Sequence, residues 1–135
     1  MFPYQRLAVW KKSHDLSVAL LKDQSLDAQP AAWVIAGQLR RAALSVAANI
    51  AEGAGSESQA MFARYLAIAL ASSHETEYLL LAALDSGVLP AEAHEVHAAS
   101  IVEIKKMLTG LLRSVRKKPV PPATPPENEQ RPQNP

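Results

Sequence analysis

Residues 38–55, QLRRAALSVAANIAEGAG, admit one regular structure. Leu39, Ala42, Ala43, Val46 and Ile50 recur at the three- and four-residue steps of an α-helix and line one side of it. Beside that stripe run Gln38, Arg41, Ser45, Asn49 and Glu52, spaced so that they stack into a polar ribbon at the edge of the apolar face. Such a helix needs other apolar faces to bury its own. The chain is 48% hydrophobic but only 5% aromatic, and no segment alternates with period two, so helices rather than a sheet must supply them.

Three more segments carry the helical period. The spacing predicts helices from about Gln5 to Asp23, from Pro30 or Ala31 to Gly53, from Ser56 to Gly87, and from Pro90 to about Lys117. Ser56 and Gln59 have the spacing of a capping box, and Gly53 and Gly87 suit the left-handed residue that closes a helix. Short connections set neighbouring helices antiparallel. The expected fold is an all-α, antiparallel, up-down-up-down four-helix bundle over residues 1–118. Seven of the ten prolines fall in residues 119–135, PVPPATPPENEQRPQNP, which is expected to be a disordered proline-rich tail.

The first helix shows two apolar stripes. Leu7, Trp10, His14, Val18 and Leu21 form one, and Val9, Leu16 and Leu20 form another on the opposite side. A bundle needs one apolar face per helix, so a second face implies contact with another subunit. Val9, Trp10, Leu16 and Leu20 are the candidate interface residues. In the third helix, Phe62, Leu66, Leu70, Leu80, Leu81 and Leu84 are expected in the core, with Glu77 among them. A carboxylate there needs a partner. Arg40 or Arg41 is the expected one, with Gln38, Ser45, Asn49 and Glu52 completing a polar network that locks helix register. A small-ligand site and a partner-binding groove are the alternatives for the same residues.

Catalytic and metal signatures are weak. Ser73, His74 and Glu75 are consecutive, so on a helix they diverge and cannot form a triad. His94 and His97 are three apart, not four as in the zinc-protease motif, and read as first-turn, partly exposed residues. No Glu-x-x-His pair suits a di-iron bundle. EGAGSES, residues 52–58, lacks the lysine and preceding strand of a phosphate loop. No catalytic residue, metal or cofactor is expected. The chain has no cysteine, its longest strongly apolar run (YLLLAAL, 78–84) cannot span a bilayer, and MFPYQRLAVWKKSH at the start holds no signal-type apolar run. A cytoplasmic protein with no membrane partner is expected. Net charge is only +1, so nucleic-acid binding has to rest on a local patch. Arg113, Arg116, Lys117 and Lys118 form one; they either complement the helix dipole or meet phosphates.

The sequence resembles the bacterial four-helix-bundle family of large-subunit ribosomal RNA intervening-sequence proteins. The resemblance covers nearly all of residues 4–116 and is carried by LAVWKKSHDL (7–16), QLRRAALSVAANIAEGAG (38–55), FARYLAIALASSHETE (62–77) and VEIKKMLTGLL (102–112). Its most specific element is Q-L-R-R-A followed by N-I-A-E-G-x-G. Ala47 stands where the family often has proline, and residues 23–33 lack the usual Phe-Pro. The resemblance implies a bundle that assembles into a ring, expected as a homopentamer, and no enzyme activity. A similar bundle is the accessory protein of diversity-generating retroelements, whose pentamer engages reverse transcriptase and nucleic acid. The functional expectation is therefore a homo-oligomeric scaffold or RNA-associated accessory module, with RNA or a nucleic-acid enzyme as partner. A protein–protein adaptor with no nucleic-acid role is the rival.

Overall fold

The computed structural model describes residues 3–117. Among them a 3-10 turn at Tyr4–Arg6 precedes α1 (Ala8–Lys22), and a second at Gln24–Asp27 leads into α2 (Ala32–Ala54). Then come α3 (Gln59–Asp85) and α4 (Ala91–Lys117), and the described residues contain no strand. Each helix packs on its neighbours in the chain, and α4 closes on α1, while the diagonal pairs do not pack together. This is an all-α four-helix bundle. The expected tail, the domain end at residue 118 and Lys118 lie outside the described residues.

Local chemistry explains the helix ends. Ser58, not Ser56, caps α3: its hydroxyl accepts from the Met61 amide at 3.1 Å. The Ser56 hydroxyl instead donates to the Gly53 carbonyl at 2.6 Å. At the end of α3, Gly87 takes φ 77°, the left-handed conformation that glycine adopts without strain. This lets the Gly87 and Val88 amides reach back to the carbonyls of Leu84 and Ala83. Gly53 does something else. It lies inside α2, and a Cβ there would sit 2.8 Å from Tyr65 Cβ and 3.0 Å from Phe62 Cδ2. Its missing side chain lets α2 and α3 approach closely.

The core is built from Leu39, Val46 and Ile50 of α2, Phe62, Leu66 and Leu80 of α3, and Ile101, Ile104 and Leu108 of α4. Full burial of each such side chain stabilises by about 1.5–3 kcal/mol relative to exposure. Leu81 is outside it, 48% exposed, and Leu70 and Leu84 are only half-buried.

The faces of α1 are the reverse of the expectation. Val9, Leu16 and Leu20 are core residues, 4%, 4% and 0% exposed, and cannot form a free subunit interface. Ser13 and Ser17 continue this face, with hydroxyls that donate to the Val9 and Ser13 carbonyls at 2.7 and 3.0 Å. Bonded inside the helix, these serines pack as small residues. On the other stripe only His14 and Leu21 are exposed; Val18 is half-buried, and Leu7 and Trp10 pack against the edge of the core. Trp10 is half-buried there, edge-on to Tyr4 at 4.8 Å and stacked on His14 at 4.9 Å.

Candidate functional site

The polar ribbon of α2 divides in the folded chain. Gln38 and Arg41 point to solvent. Ser45 and Asn49 turn towards α3: the Ser45 and Ser72 hydroxyls meet at 2.9 Å, and Asn49 donates to the Ser45 carbonyl and hydroxyl at 2.8 and 3.0 Å. Glu52 accepts from the Tyr65 hydroxyl at 3.3 Å. The Ser45–Ser72 and Glu52–Tyr65 bonds stitch α2 to α3, while those of Asn49 stay within α2.

Arg40 faces the other way and closes the end of α1. Its Nε donates to the Leu20 carbonyl at 3.0 Å and one Nη to the Asp23 carbonyl at 3.2 Å. Both Nη atoms also reach the Asp27 carboxylate at 2.8 Å. A guanidinium is suited to this task because its planar donors can serve orphan helix carbonyls and a carboxylate together. The bidentate bond, then the charge of Arg40, hold the Asp27 carboxyl below its ordinary range, and Asp27 in turn raises the guanidinium.

Glu77 is not a core carboxylate and meets neither arginine. Its side chain is 41% exposed and pairs with Lys105 of α4 at 2.9 Å. The expected single lock is therefore four separate links: Ser45–Ser72, Glu52–Tyr65, Arg40–Asp27 and Glu77–Lys105.

A further link has no counterpart in the sequence pattern. His97 is buried, not partly exposed, and its Nε2 lies 2.8 Å from Asp23 Oδ2. Burial pushes the Asp23 carboxyl up. Bonds from the Ser25 hydroxyl, the His97 ring and the Ser25 amide, with the charge of His97, outweigh it and hold the group low. The ionised carboxylate accepts, so His97 Nε2 donates. Ser25 binds Oδ1 while His97 binds Oδ2, so the hydroxyl does not meet the imidazole and no nucleophile is activated. A shallow groove of about 260 Å³ lies beside His97, with Lys12 and Glu103 paired across it at 2.6 Å. Among the described residues no group of three or more His, Cys, Asp or Glu is placed to hold a metal.

The cations at the C-terminal end of α4 are arranged differently from those of the links. Arg113, Arg116 and Lys117 are exposed, and none takes part in an ion pair among the described residues. Together with Leu70 and Thr109 they line an open depression at the end of the helix. No described helix is long and apolar enough to cross a membrane.

Residues 5–110 match the protein family described as 23S rRNA-intervening sequence protein. The chain belongs to this family. The match takes in all of the linking residues and stops just short of the α4 cations at 113–117. Among solved structures, this member of the intervening-sequence family is similar to a protein of unknown function from the S23 ribosomal protein family of Bacteroides thetaiotaomicron. The two share 29% identity and a TM-score of 0.73, over 78% of this chain and 95% of the other. Comparison with curated proteins found no match. Neither description names an enzyme activity.

Proposed function

We propose that this protein is a non-enzymatic, cytoplasmic module that assembles into a ring, a homopentamer, and engages RNA through the C-terminal end of α4. The observation that carries the reading is the group of unpaired, exposed cations Arg113, Arg116 and Lys117 on a rigid helix. The Arg40–Asp27, Glu77–Lys105 and Asp23–His97 links use their charges internally. These three have no carboxylate to satisfy and are free to displace counterions from phosphates. Lys118 follows Lys117 in the sequence and carries a further positive charge. A ring repeats the patch, and linked weak contacts raise the overall affinity. The outward stripe of α1, with Leu21 half-exposed beside Val18, supports self-association.

Titration of the assembled protein with a structured RNA transcript at several salt concentrations tests this. Affinity that falls steeply with salt is expected, and a flat response contradicts the reading.

An adaptor without a nucleic-acid role is favoured by one observation: Trp33 and Val34, at the start of α2, are 73% and 51% exposed. Large apolar side chains in water are typical anchors for a protein partner. A partner lost on deletion of residues 119–135 or on Trp33→Ala, and kept after ribonuclease, would favour it.

A further inference from the structure

The α4 depression does not end at Arg113. Three shallow hollows run on from one another along the α3–α4 side of the bundle. The first holds Leu70, Thr109, Arg113, Arg116 and Lys117. The second shares Thr109 and Arg113 with it and continues through Gly110 and Lys106 to Val102. The third shares Val102 and lies between His94 of α4 and His74, Tyr78 and Leu81 of α3. From Val102 to Lys117 the rise of an α-helix covers about 22 Å.

The two ends of this trough differ in chemistry. Towards the C-terminus of α4, Lys106, Arg113, Arg116 and Lys117 are exposed and outside every ion pair among the described residues. Nothing comes within 4 Å of where a Cβ would be at Gly110, so the floor there is bare backbone. Glu77 lines the third hollow, and its carboxylate is paired there with Lys105 of the second. Glu92 and Glu95 lie in the opening turns of α4, and Glu103 is held by Lys12. At the far end Tyr78 is 66% exposed, with His74 and His94 lining the same hollow.

We infer that this trough is a track for single-stranded nucleic acid, with phosphates along Lys106, Arg113, Arg116 and Lys117 and an unpaired base stacked on Tyr78. The inference rests on the RNA reading above and specifies its site and strand state. Unpaired cations in a row supply the complement to a polyphosphate, and an exposed aromatic ring supplies a sequence-tolerant platform for a base. A duplex keeps its bases stacked inside and gains nothing from Tyr78. The length suits roughly four nucleotides per subunit, the small end of single-strand sites.

Fluorescence anisotropy of the full chain tests this, using a labelled twelve-residue oligouridine, the matching oligodeoxythymidine and an RNA duplex. The single strands should bind more tightly than the duplex, and the uridine and deoxythymidine arms identify which of the two is preferred. Four phosphate contacts give a slope of log affinity against log salt of about −3. Lys106→Gln with Arg113→Gln should flatten it by about 1.4. Tyr78→Ala should weaken single-strand binding about tenfold and leave duplex binding unchanged. Tyr78→Phe, which keeps the ring, should restore it. Equal binding of single strand and duplex, insensitive to Tyr78→Ala, overturns the track while leaving an RNA role intact. No binding to any of the three overturns both.

Discussion

Asp23 and His97, separated by 74 residues in the chain, join the end of α1 to α4 through a 2.8 Å bond between Oδ2 and Nε2. Their side chains are 16% and 9% exposed, so removing either leaves the other with little water to replace it. Asp23→Ala is expected to destabilise by about 1.5–3 kcal/mol, the range for hydrogen bonds to charged groups. Urea denaturation followed by circular dichroism measures it; a loss below about 0.5 kcal/mol contradicts the role given to the pair.

The same carboxylate predicts an acid response. Asp23 and Asp27 both titrate below their ordinary range in the folded chain. The unfolded chain therefore takes up these protons at a higher pH than the folded one. The stability they contribute is fully present above the ordinary carboxylate value of about 3.9 and is lost as pH falls through the lower folded values. Melting temperatures between pH 6 and 3 should drop more steeply for the wild type than for Asp23→Asn.

Arg40 differs from Arg41 despite being its neighbour. Arg40→Gln releases the Leu20 and Asp23 carbonyls and the Asp27 carboxylate, and should cost about 1–2 kcal/mol. Arg40→Lys should not restore it, because one ammonium cannot reproduce the fork. Arg41→Gln should leave the melting temperature unchanged, since Arg41 is exposed and outside every ion pair among the described residues.

Two glycine substitutions should move stability in opposite directions. Gly53→Ala drives a methyl to within 2.8 Å of Tyr65 Cβ, and overpacking of this kind typically costs about 1–3 kcal/mol. Gly110→Ala meets nothing within 4 Å and should gain up to about 1 kcal/mol from helix propensity. Thermal melts of the two variants side by side decide the matter.

The helices were legible because long apolar periods and strong punctuation, such as Gly87 and Pro90, agree along the chain. The α2 stripe from Leu39 to Ile50 is buried as read. The α1 faces were not legible, since Ser13 and Ser17 look polar in a sequence but bond within their own helix and face the core. Glu77 was assigned the wrong partner because the rotation of α3 about its axis, which aims it at Lys105, comes from packing rather than spacing. The Asp23–His97 bond depends on where a loop end meets a helix distant in the chain, which no local pattern encodes.

Native mass spectrometry of the protein isolated gently from its own host tests the central claim most directly. The expected result is a five-subunit mass carrying extra mass that ribonuclease removes. A monomer without nucleic acid, or extra mass that survives ribonuclease, would contradict an RNA-engaging ring.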